Sequence, residues 1–198
     1  MLKKIVAIAI GGIALAVAYY GSYLPLSKSL AFIDVLRGTD RIHSVKEFEE
    51  AFAVPLDIPS PIGQEELVRN LGNSVVNVVQ QNKDPQLIEE VINYLDHYYG
   101  PIMSGRRGTN FVQNFFVLGS LYDVAFRQTQ DARYLALAEE YYRKGLELSP
   151  TRPQFLYALF GLYRLEGKLS EAKKIGEQII VQWPDDGATR EALSQFPK

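Results

Sequence analysis

The pattern begins with a single apolar block. Lys3 and Lys4 are followed by Ile5 through Tyr20 without a charge, and the next charged residue is Lys28. About 20 apolar residues rising 1.5 Å each cover a hydrocarbon core of about 30 Å, so residues 1–26 are expected to form a transmembrane helix. Tyr19, Tyr20 and Tyr23 close the block where amphipathic rings suit the headgroup layer. The positive-inside bias puts the N-terminus in the cytoplasm and the rest outside, as a single-pass protein of the inner (cytoplasmic) membrane. A second reading stays open. A basic start, a short apolar core and Ala16-Val17-Ala18 also make a secretory signal, cleaved near Ala18 to leave a secreted protein. Gly11-Gly12 is too slight a signal to assign a helix–helix contact.

Beyond the block, apolar positions recur at steps of three and four, the period of an amphipathic helix. Residues 27–62 read as a connector with one short helix. Ser44-Val45-Lys46-Glu47 is a capping box, and Val45, Phe48, Ala51 and Phe52 follow at helical spacing. Pro55, Pro59 and Pro61 are expected to end that helix, since each lacks a backbone donor and restricts the residue before it.

Residues 63–198 read as helix after helix. Leu67, Leu71, Val75, Val78 and Val79 make the first apolar face. Asp84 caps a second helix with Pro85 at its first position. Leu87, Ile88, Val91, Leu95 and Tyr98 line that helix, and Gly100-Pro101 is expected to stop it. Thr109 or Asn110 caps a third, which carries Phe111, Phe115, Leu118, Tyr122 and Phe126. Further helices are expected from near Asp131 to Leu148, from Pro153 to Glu166, from Ser170 to before Pro184, and from Asp186 to Gln195. No alternating strand pattern appears. The expected class is all-α: an N-terminal membrane or signal helix, then antiparallel hairpins.

An internal repeat sharpens that class. Ala138, Tyr142, Gly145 and Pro150 recur 34 residues later as Ala172, Gly176, Ile179 and Pro184. This offset is the period of the tetratricopeptide repeat, which the chain resembles. Leu156, Leu159 and Tyr163 supply the partner helix of the later unit. Phe115, Leu118, Gly119 and Tyr122 supply it in the earlier one. Gly119, Ala138 and Ala172 are expected where two helices cross closely. The earlier unit is seven residues longer, and Gln128 through Tyr134 are expected to lengthen its inter-helix turn. Phe160 replaces the small residue in the later unit. The resemblance implies a short solenoid, with 64–99 as a third, degenerate hairpin and the last helix as a cap.

Composition narrows the chemistry. The chain has 198 residues, 21 Lys+Arg against 23 Asp+Glu, and a net charge of −2, which argues against non-specific nucleic-acid binding. It has no Cys and two His, so disulfides, thiolate metal sites and Cys nucleophiles are excluded and a His-based metal site is not expected. No nucleophile elbow, P-loop or dinucleotide fingerprint is present. Glu65-Glu66, Glu89-Glu90 and Glu139-Glu140 read as solvated helix faces, because adjacent helical residues do not face each other. His43 and His97 read as structural. No catalytic residue, metal or cofactor is therefore expected, and the chain reads as a non-enzyme. Ser104 through Asn110 is the most site-like loop, with Arg106 and Arg107 a candidate anion site. A solvated turn explains the same residues.

The expected activity is binding. Tetratricopeptide arrays take partners on the surface formed by the first helix of each unit. Spacing puts Gln113, Phe116, Ser120 and Asp123 there, together with Gln154, Tyr157, Gly161 and Arg164. An exposed Phe116–Tyr157 strip bordered by Gln, Asp and Arg would suit an extended peptide or a helix of another protein.

A longer order of features carries a second resemblance. The apolar helix is followed by Pro25-Leu26-Ser27-Lys28-Ser29-Leu30, Ser44 through Phe52, a Pro-containing loop, Gln64-Glu65-Glu66-Leu67 and the repeats. This order resembles the extracytoplasmic tail of bacterial O-antigen ligase or polymerase-like membrane proteins. It implies a detached tail module beside a multi-span glycan ligase or polymerase. Members of that family transfer glycans in a multi-helix membrane domain, which this chain lacks, so no catalytic residue carries over. The alternative it raises is an accessory subunit of such a transferase.

Overall fold

A computed structural model describes residues 1–105 and 111–196. Among them every regular element is helical and no strand occurs. The helices are α1 (Leu2–Ala18), α2 (Leu24–Arg37), α3 (Val45–Asp57), α4 (Gln64–Gln81), α5 (Pro85–Gly105), α6 (Phe111–Thr129), α7 (Ala132–Leu148), α8 (Pro153–Leu165), α9 (Leu169–Gln182) and α10 (Gly187–Ser194). The chain divides into two compact units, Met1–Ser74 with Glu89–Gly105 and Val75–Ile88 with Arg106–Lys198.

In the first unit, α1 and α2 join through a π turn at Tyr19–Tyr23 into one helix, Leu2–Arg37. This helix has a window of mean hydropathy 1.9 with no residue of it buried, and is long and apolar enough to cross a membrane. The connector expected from residue 27 is therefore helical as far as Arg37. Pro25 explains the π turn. It has no N–H for the Gly21 carbonyl and its ring crowds that carbonyl. The wider turn just before it relieves the crowding, with the Leu24 N–H bonding to the Tyr19 carbonyl. The Tyr19 and Tyr23 rings stack at 5.5 Å across the turn.

α3 folds back along α2. Phe52 meets Phe32 at 5.7 Å and Phe48 at 4.5 Å between ring centroids. Lys28 is buried beside them and its Nζ donates to the carbonyls of Leu56 (3.0 Å) and Ile58 (2.7 Å). These carbonyls lie at the end of α3, where no helical donor remains and a cation suits the helix dipole. At the other end Ser44 Oγ accepts from the Glu47 N–H at 3.2 Å, as its spacing implies. Glu47 reaches back one residue beyond the usual box, to the His43 N–H at 2.8 Å.

Two prolines behave differently from expectation. Pro55 lies inside α3, buried with Leu56, and the helix ends at Asp57. Ile58 is extended, as the residue before Pro59 must be. Pro101 lies inside α5, which continues to Gly105. One lost donor on an exposed stretch of a long helix does not end it. Tyr94 and Tyr98 of α5 donate to the Glu49 carbonyl (2.9 Å) and to Asp57 Oδ1 (3.2 Å).

In the second unit, α6 pairs with α7, α7 with α8, α8 with α9, and α9 with α10. The α6–α7 turn is only Gln130 and Asp131, with Gln130 at φ 58° and Asp131 accepting from the Arg133 N–H at 2.9 Å. The extra length of this pair is taken up by longer helices rather than by the turn. Gly119 faces the Tyr142 ring, 2.5 Å from where a β-carbon would stand. Gly176 is enclosed by Leu193 and Phe160, and Ala138 and Ala172 are fully buried. Tyr122 stacks between Tyr141 (5.5 Å) and Tyr134 (6.1 Å).

Candidate functional site

The 3.6-residue period places two polar rows on neighbouring helices. On α8 it buries Phe155, Leu156, Leu159, Phe160, Leu162 and Tyr163 and leaves Gln154, Tyr157, Gly161 and Arg164 exposed. On α6 it leaves Gln113, Phe116, Ser120 and Asp123 half-buried, and α6 touches α8. The rows are stitched together by Arg152, whose guanidinium donates to Gln113 Oε1 at 2.6 Å and to Gln154 Oε1 at 3.2 Å. Spacing did not find Arg152, because it precedes Pro153 and belongs to no helical face. Its place one residue outside the helix start was the available signal.

Phe116 is less available than its spacing suggests. Its ring wedges between Tyr142 (6.0 Å) and Phe155 (5.9 Å), so the exposed aromatic surface belongs to Tyr157, 41% exposed. Ser120 Oγ accepts from the Tyr142 hydroxyl at 3.3 Å, and Asp123 pairs with Arg127 at 3.1 Å. The Arg164 guanidinium lies over the Phe160 ring at 5.4 Å. Arg106 and Arg107 lie outside the described residues.

One end of the α8 row is held by residues that spacing missed. The Tyr157 hydroxyl donates to Asp186 Oδ2 at 2.7 Å, and its ring lies 5.8 Å from Trp183. Asp186 caps α10 through the Thr189 N–H (3.0 Å) and also accepts from the Thr189 hydroxyl (2.8 Å). The Thr189 N–H, with Tyr157 and the Thr189 hydroxyl, holds the Asp186 carboxyl below the usual carboxylate range. The same bond to Asp186 pushes the Tyr157 phenol up.

A second concavity, about 510 Å³, is lined by Glu139, Arg143, Tyr163, Lys168, Glu171 and Lys174 over an apolar floor that includes Leu159 and Ile175. Glu139 is not a simple solvated carboxylate. It accepts from Lys168 Nζ at 2.6 Å and from the Tyr163 hydroxyl at 3.2 Å. Lys168 also pairs with Glu166 at 3.1 Å. Glu140 next to it stays exposed and pairs with Lys144. The hydrogen bond to Glu139 raises the Lys168 ammonium pKa, and burial pushes the Tyr163 phenol up to about 12. Lys168 lies 29 residues beyond Glu139, so no local spacing rule reveals the pair.

Among the described residues, no three His, Cys, Asp or Glu side chains come together as metal ligands. His97 lies edge-on to Tyr98 at 4.9 Å, and its side chain is exposed. No protein-family model matches the chain, and no curated protein or solved structure matches it either.

Proposed function

We propose that this chain is a membrane-anchored, extracytoplasmic scaffold of tetratricopeptide type that binds another protein. One observation carries the reading. The α8 row of Gln154, Tyr157, Gly161 and Arg164 stays exposed while Phe155, Leu156, Leu159, Phe160, Leu162 and Tyr163 on the opposite side of that helix are buried, and Arg152 ties the row to α6. Close crossings at Gly119, Gly145 and Gly176 are the packing such repeats need. The partner is an extended peptide or helix: Tyr157 offers an aromatic platform, and Gln113, Gln154 and Arg152 offer side-chain groups for a backbone. The order of features along the chain makes a multi-span glycan-assembly protein the first partner class to test. The apolar helix, basic at its start, would hold the binding rows outside the cytoplasm.

The test is affinity capture with full-length wild type and with Tyr157→Ala plus Arg164→Glu. Loss of a specific partner from the double variant, with unchanged helicity, is the expected result. An unchanged partner set would remove the groove from consideration.

A further inference from the structure

We propose that the loop following α3 is a second, shallow membrane contact, seated in the headgroup layer beside the helix that leaves the bilayer. The inference rests on reading residues 1–26 as a span. Its basis is a height. Lys28 comes two residues after Leu26, about 3 Å of helix rise beyond the apolar block. Its Nζ is bonded to the carbonyls of Leu56 and Ile58, which fixes the end of α3 at that level. The Phe32–Phe52 pair repeats the antiparallel register one turn further along α2. As α2 climbs away from the bilayer, α3 descends toward it. The loop beyond Asp57 therefore begins at the layer from which the chain emerged.

The residues suit that layer. From Val54 to Gly63 the only charge is Asp57, and its carboxylate accepts from the Tyr98 hydroxyl at 3.2 Å. Val54 and Ile62 stand 63% and 61% exposed. Leu26 and Leu30, on either side of Lys28, stand 59% and 52% exposed. These four exposed apolar groups flank the point of emergence within about two turns of helix, a surface that water does not favour and the acyl boundary does. The backbone is also prepared to leave water. Pro55, Pro59 and Pro61 have no N–H to strand. Ser60 Oγ donates to the Ile62 carbonyl at 2.7 Å and accepts from the Ile62 N–H at 3.4 Å, so loop groups bond to each other. Lipid is the occupant because headgroups surround an emerging helix at this height.

The chain contains no Cys, so one label can be placed at a time. Ile62→Cys, Ile13→Cys and Lys46→Cys, each carrying an environment-sensitive fluorophore, would be made in the full-length protein. They would be reconstituted in phosphatidylcholine–phosphatidylglycerol vesicles with nitroxide lipids as quenchers. Ile13 tests the span, and Lys46, at the far end of α3, serves as the aqueous control. Quenching at positions 62 and 13, with none at 46, is expected. Quenching at 13 but not at 62 leaves the span standing and overturns the contact. A blue-shifted but unquenched label at 62 means that protein covers the loop, and overturns it too. No quenching at 13 refutes the span and the contact with it.

Discussion

The Phe155 ring fills the space that a β-carbon on Gly145 would need, so α7 and α8 approach as closely as they do only because position 145 has no side chain. Gly145→Ala therefore sets a gain against a loss. Helix propensity favours Ala by about 1 kcal/mol. Displacing a buried ring costs about 1–3 kcal/mol. Net destabilisation is expected, visible as a lower urea midpoint. Gly161→Ala, in α8 with open space around it, is expected to raise the midpoint. The opposite signs separate crowding from propensity.

Lys28→Met keeps most of the buried stem but leaves the carbonyls of Leu56 and Ile58 without their donor. An unsatisfied buried acceptor costs about 1–3 kcal/mol. The expected result is faster proteolysis within 54–63 at an unchanged cleavage rate in α6–α10, read by mass spectrometry of the fragments.

Trp183 is the single tryptophan and lies against Tyr157, so its fluorescence reports how α10 is held to α8. The Asp186 carboxyl is held below its ordinary value of about 3.9. A carboxyl depressed in the folded state contributes stability above its unfolded pKa and loses it as pH falls through its folded one. The Trp183 signal is expected to be flat from neutral pH to about 4 and to change below that. Asp186→Asn is expected to give the low-pH signal at neutral pH.

Helix caps give a local prediction. Ser44→Ala removes the acceptor for the Glu47 N–H and is expected to cost about 1 kcal/mol. Asp131→Ala removes the acceptor for the Arg133 N–H at the α6–α7 turn and is expected to cost a similar amount. Thermal unfolding by circular dichroism checks both.

Helical class, helix starts and the close crossing at Gly119 were legible because each follows from local rules. Asp84, Asp131 and Asp186 cap the helices they precede, and Gly119 faces an aromatic ring as its place in the repeat implies. What local rules missed was decided by packing. Pro55 stays inside α3 on its buried side, next to Leu56, and residues 27–37 stay helical because α3 packs on Lys28 and Phe32. The rows on α6 and α8 were legible as helical faces. That Phe116 turns inward, that Arg152 joins the rows and that Asp186 engages Tyr157 all depend on residues far apart in the chain or outside any helix.

The unbroken helix from Leu2 to Arg37 has a mechanical consequence. No residue of its first half, α1, is buried among the described residues, and its second half is clamped to α3, so the two halves behave as one lever. In a bilayer, the helix tilts until its apolar length matches the local thickness. The α2–α3 hairpin would then lean by the same angle, and lipid thickness becomes a variable that sets how the first folded layer faces the surface.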